Sequence, residues 1–94
     1  MAKFITRVEL HKQISEDYET LHATMKNAGF KKSIPANDGK EYALPSAEYY
    51  IEGVYTLAYV FDAANKAATS TGKKFWIITS EINYATFELN PISK

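Results

Sequence analysis

Two stretches of helical periodicity each lie between runs of strand-forming residues, and glycines mark the joins; this alternation constrains the fold of the 94-residue chain more than any other feature. Ile14, Tyr18, Leu21, Met25 and Ala28 recur at spacings of four, three, four and three. That is an apolar stripe on a 3.6-residue period, and it predicts a helix over about 15–28. Ser15 is the expected N-cap, Glu16 and Asp17 suit the positive end of the helix dipole, and Gly29 supplies the stop. Leu57, Val60, Ala64, Ala67 and Thr71 predict a second helix over about 57–71, capped by Thr56 and stopped by Gly72.

Between and around the helices the pattern changes to strand. Phe4, Thr6 and Val8 alternate with Ile5, Arg7 and Glu9, which predicts a first strand over about 3–10. Phe30 to Pro35 reads as an edge strand, followed by a hairpin turn at Ala36-Asn37-Asp38-Gly39. A third strand lies within about 41–52, with Pro45 marking a bulge or a break into two short pieces. Phe75-Trp76-Ile77-Ile78-Thr79 predicts a strand buried on both faces, or buried on one and covered by a partner on the other. The tail 81–94 carries Tyr84, Phe87 and Leu89 and either adds a short strand or packs loosely.

The order β-α-β-β-α-β predicts an α+β fold of the ferredoxin-like kind. Its antiparallel four-stranded sheet carries both helices on one face, with strands one and three in the centre. At this length the chain is one domain, 1–94, with a core of about 3–80. The second sheet face then meets solvent, a ligand or another subunit, and a homodimer through the sheet is expected from Trp76 and the three tyrosines on or near the third strand.

Composition narrows the function. There is no cysteine, hence no disulfide framework, thiolate nucleophile or zinc–sulfur site. Eleven basic residues balance eleven acidic ones, and Arg7 is the only arginine. Such a chain lacks the broad basic footprint of a duplex-DNA binder. No segment reads as a signal peptide or a membrane span, so a cytoplasmic protein without a membrane partner is expected. Walker, dinucleotide-binding, nucleophile-elbow and zincin patterns are absent, as is the RNP1 pattern, and no cofactor or metal is expected.

The residues that remain able to do chemistry are few. His11 follows the first strand and His22 lies at the polar edge of the first helix. Two imidazoles near neutral pKa suit acid and base in RNA cleavage, where the 2′-hydroxyl attacks its own phosphate without a metal. The plainer use of such residues is as surface or boundary histidines. Glu9, near His11, either meets its mate across a symmetric dimer and holds a metal at the interface or is an ordinary solvated carboxylate. Arg7, Lys26, Lys31 and Lys32 can form a patch for RNA phosphates, with Tyr42, Tyr49 and Tyr50 stacking bases beside it. The structural alternatives are a charged edge strand and cross-strand aromatic packing.

Three segments resemble a known family. They are Phe4-Ile5-Thr6-Arg7-Val8-Glu9-Leu10, the helix Tyr18-Glu19-Thr20-Leu21-His22-Ala23-Thr24-Met25 closing at Gly29-Phe30, and the run from Asp38-Gly39 to Tyr49 with Tyr42 and Pro45 within it. Over about 3–80 the chain is similar to small proteobacterial and phage proteins grouped with the antitoxin GhoS. The resemblance implies a ferredoxin-like fold similar to that of the small CRISPR adaptation nuclease. It also implies an endoribonuclease that silences a toxin by cutting the toxin's messenger RNA. Where the family's first helix is arginine-rich, this chain offers Thr20, His22 and Lys26. A protein-interaction module, docking onto a phage or host protein through the open sheet face, is the alternative.

Overall fold

The computed structural model describes residues 2–11, 15–83 and 89–92. Ile14, the Ser15 side chain, Tyr84 and Phe87 lie outside the described residues. The elements run β1 (Ala2–Leu10), α1 (Ser15–Asn27), β2 (Ser33–Pro35), β3 (Glu41–Ala43), β4 (Glu48–Gly53), α2 (Leu57–Thr69) and β5 (Phe75–Ile82).

β1 is the middle strand of an antiparallel sheet ordered β4-β1-β5. Its alternation decides the two faces. Phe4, Thr6, Val8 and Leu10 are buried on one side, joined by Tyr49 and Ile51 of β4 and by Phe75 and Ile77 of β5. Leu21 and Met25 of α1 and Val60, Ala64, Ala67 and Ala68 of α2 pack into that same cluster, so both helices cover this one face. The four buried α2 residues fall on the helical period, and three of them are alanines, which let the helix approach the sheet closely. Thr56 caps α2 as expected, its side chain accepting from the Tyr59 N–H at 3.1 Å. The Thr24 hydroxyl of α1 donates to the Ala67 carbonyl of α2 at 3.1 Å and ties the helices together.

The sheet differs from the expected four strands. β2 and β3 form a separate two-stranded sheet, and the backbone joins it to β4 through a bridge from Lys31, ahead of β2, to Tyr50. Two features explain this. The turn at Asp38-Gly39, with Gly39 at φ +82°, pairs Ser33–Pro35 with Glu41–Ala43. Pro45 then separates β3 from β4, so the expected 41–52 strand exists as two.

The hairpin also changes the fate of the reverse face. Ile34 and Leu44 bury Tyr50 of β4, and Ile5, Tyr42, Ile82 and Leu89 pack around them. Residue 91 bridges Tyr42, so part of the tail joins this second cluster. One end of the reverse face is thereby covered. The other end, with Arg7, Glu9, Trp76 and Ile78, is open. β5 is not buried on both faces: Trp76 is 69% and Ile78 63% exposed. Among the described residues no helix is long and apolar enough to cross a membrane.

Candidate functional site

The site forms where α1, β4 and the segment entering β2 meet. Leu21 points into the core, which leaves the next residue, His22, at the helix boundary, half-buried. Tyr49 stands on the helix side of β4 beside Ile51, with its ring in the core and its hydroxyl reaching α1. The two meet at 2.6 Å between His22 Nδ1 and Tyr49 Oη. Tyr18, one turn before His22, has its ring centre 6.3 Å from the imidazole. The Tyr18 hydroxyl accepts from the Leu10 N–H at 3.2 Å and anchors α1 to the end of β1.

Lys32 completes the cluster. The Lys31–Tyr50 bridge places Lys31 on the reverse side and Lys32 on the helix side. The Lys32 ammonium lies 4.6 Å from the centre of the Tyr49 ring, within cation–π range. It donates to the Pro45 carbonyl at 2.6 Å and the Glu48 carbonyl at 2.7 Å. These bonds hold the β3–β4 connection against β2.

The electrostatics follow from burial. Burial pushes the Lys32 ammonium down to about 8, against a smaller upward pull from the Glu48 carboxylate. Burial, and then the Lys32 charge, lower the His22 imidazole from its ordinary 6.5, opposed by Glu19. Burial drives the Tyr49 phenol far above its ordinary 10, so it keeps its proton at any physiological pH. The cluster therefore holds a neutral imidazole, a protonated phenol and an ammonium ion at neutral pH.

The two histidines named from the sequence do not come together. His11 extends the parity of Glu9 and packs against Trp76 on the reverse side, the rings tilted by 58° with centres 5.2 Å apart. His22 sits on the helix side against Tyr49. An acid–base pair made of both is not what the fold assembles within one chain.

The basic set is likewise divided. Arg7 lies on the reverse face, bonded through Nε to Glu9 at 3.1 Å and facing Glu48 at 3.9 Å. The Glu9 bond, more than any other influence, raises the Arg7 guanidinium above its ordinary value. Lys31 pairs with Glu41 at 3.1 Å. Lys26 is exposed in the last turn of α1. Of the four, Lys32 is the one whose charge acts on His22.

Base stacking on Tyr49 and Tyr50 is corrected by their burial, since each is 1% exposed. Tyr42 donates to Asp38 at 2.6 Å, a bond that raises its phenol and lowers the Asp38 carboxyl. Tyr50 Oη is buried near the Glu52 carboxylate, without a hydrogen bond of good geometry among the described residues. Burial, with the charge of nearby Glu52, pushes its phenol up to about 12.

The reverse face that the sequence left for solvent, a ligand or another subunit carries an open groove of about 250 Å³ bordered by Arg7, Glu9, Trp76 and Ile78, a grouping the sequence reading did not single out. The polar alternation of β1 and the odd-even pattern of β5 carried the signal. Among the described residues no three imidazole, thiolate or carboxylate side chains gather closely enough to hold a metal ion. No family model and no curated protein sequence matches the chain.

Proposed function

We propose that this chain is a ferredoxin-like, GhoS-like RNA-directed protein of the cytoplasm, acting as a metal-independent endoribonuclease on a toxin's messenger RNA. The sheet supports the fold reading. If the Lys31–Tyr50 bridge is taken as the contact of a fourth strand, the order becomes β5-β1-β4-β2, with β3 an outgrowth of the central hairpin.

The observation that carries the function is the His22–Tyr49–Lys32 cluster. It sets a half-buried imidazole, neutral at physiological pH, and the Lys32 ammonium around one tyrosine at the boundary of the core, a pairing whose chemistry suits a phosphate oxygen. In the reaction the 2′-oxygen bonds to phosphorus and the bond from phosphorus to the 5′-oxygen breaks. The products are a 2′,3′-cyclic phosphate and a 5′-hydroxyl end. Water takes the proton from the 2′-oxygen and supplies one to the 5′-oxygen. His22 and Lys32 polarise the phosphate and offset the charge that develops on it.

The test is incubation of the purified protein with total RNA, with and without chelator, followed by mapping of the cut ends. Cyclic-phosphate ends that persist with chelator and fall by about a hundredfold in His22→Ala, the loss expected on removing one donor to the developing phosphate charge, support the reading. RNA left intact, with no complex in a shift assay, overturns it.

The open end of the reverse face favours a second reading, a non-enzymatic module that docks onto a protein. Trp76 and Ile78 stand exposed there around the Arg7–Glu9 pair. In that case a specific partner is lost in Trp76→Ser and retained in His22→Ala.

A further inference from the structure

The Tyr49 hydroxyl carries one proton, and that proton needs an acceptor. The residue is 1% exposed, so water does not serve it. Among the described residues the only hydrogen-bond partner of Tyr49 Oη is His22 Nδ1, at 2.6 Å. Were Nδ1 protonated, it would donate to Tyr49 Oη and leave the buried O–H with nothing to accept it, which is unfavourable for a donor withdrawn from water. The arrangement that satisfies both groups has the Tyr49 O–H donating to a bare Nδ1. A neutral imidazole with a bare Nδ1 carries its hydrogen on Nε2.

We infer that Tyr49 is a positioning residue that holds His22 in its Nε2–H tautomer, so that His22 meets its ligand as a hydrogen-bond donor to an anionic oxygen rather than as a base. The ligand class is a phosphate oxygen, which has lone pairs for the Nε2–H and negative charge for Lys32. The cation is already arranged for this. Two of its N–H bonds are held by the Pro45 and Glu48 carbonyls, and its charge is half-withdrawn from water, which strengthens its field at short range. A Nε2–H imidazole cannot accept the 2′-hydroxyl proton at Nε2, which is why that proton leaves to water in the reaction above. The ligand assignment rests on the RNA reading; the tautomer does not.

The test separates the two. Long-range ¹H–¹⁵N correlation on histidine-labelled protein, at a pH where His22 is neutral and with no RNA present, reports which ring nitrogen bears hydrogen. The expected result is hydrogen on Nε2 of His22 and a bare Nδ1. In Tyr49→Phe, which keeps the buried ring and deletes the hydroxyl, the two tautomers should mix. Titration with inorganic phosphate should shift the His22 Nε2–H resonance in the parent protein, with roughly tenfold weaker binding in Tyr49→Phe. Hydrogen on Nδ1 in the parent protein overturns the inference, as does a tautomer unchanged in Tyr49→Phe. Intact RNA alongside a confirmed Nε2–H tautomer overturns the ribonuclease reading and leaves the role of Tyr49 standing.

Discussion

The Lys32 ammonium lies over the Tyr49 ring, 4.6 Å from its centre, with two of its protons spent on backbone carbonyls of the β3–β4 connection. A cation held this way has given up water for one aromatic face and two carbonyl dipoles. That exchange is incomplete, because its folded-state value is about 8 against an ordinary 10.5.

The sign of the resulting pH dependence is fixed. Between about 8 and 10.5 the unfolded chain binds the Lys32 proton more tightly than the folded chain does. Stability due to this group is therefore lowest below pH 8 and climbs as pH rises through that window. Above 10 the raised phenol of Tyr50 acts in the opposite direction, since the folded chain keeps a proton that the unfolded chain loses. Urea midpoints measured from pH 8 to 10 should rise in the parent protein and stay flat in Lys32→Met. Partial exposure keeps the slope well below the ~1.4 kcal/mol per pH unit of a single unscreened proton.

His22 gives a separate acid-side signature. Its folded value lies below 6.5, so the unfolded chain takes up the proton first as pH falls. The stability linked to His22 is present above pH 6.5 and is lost as pH drops through the lower folded value. Thermal unfolding followed from pH 7 downward should show a shallower fall in His22→Gln than in the parent. An identical fall in both would mean that other groups carry the acid side.

Much of this arrangement was legible in the chain, element by element. Leu21 and Met25 marked α1, Val60 and Ala64 marked α2, and both pairs are in the core because an apolar stripe has one place to go. Thr56 announced its cap, and Asp38-Gly39 its turn. The His22–Tyr49 contact was not legible, since it joins residues 27 apart on a helix and a strand. Strand parity sets Tyr49 and Tyr50 on opposite faces but does not say what covers either one. Only the hairpin folding back over the reverse face buries Tyr50, while the helices bury Tyr49. Nor did periodicity show that Pro45 would free β3 from the main sheet, because a proline permits a bulge as readily as a break.

Thr6 and Thr79 meet at 2.9 Å between hydroxyls where β1 pairs with β5, with Thr6 fully buried among apolar neighbours. Replacing one partner leaves the other hydroxyl unsatisfied, whereas replacing both restores an apolar match. Thr6→Val alone should lower stability by about 1 kcal/mol, and the Thr6→Val, Thr79→Val pair by appreciably less. A double-mutant cycle in urea measures this directly. Strictly additive losses would show that the hydroxyls do not depend on each other.

Gly39 adopts φ +82° with open space where a side chain would project. Gly39→Ala therefore meets no clash, only backbone strain of about 1 kcal/mol. Gly39→Asn should recover most of that loss, because asparagine tolerates the left-handed region. Chemical denaturation of the two variants ranks them. Equal loss in both would place the effect in the hairpin's contacts rather than in the dihedral.

The two faces of the sheet should answer truncation very differently. Phe4, on the helix side, has no exposed surface and sits among Ile51 and the helix residues of the main cluster. Phe4→Ala leaves a cavity there and should cost ~3–5 kcal/mol, a large share of the stability of a domain this size. Trp76, on the reverse side, keeps most of its ring in solvent and touches His11 at 5.2 Å between ring centres. Trp76→Ser should change stability by no more than about 0.5 kcal/mol. Calorimetry of the two variants reads the contrast. A Trp76→Ser loss as large as that of Phe4→Ala would mean that the open end of the reverse face is covered in solution, for which analytical ultracentrifugation across a concentration series supplies the independent check.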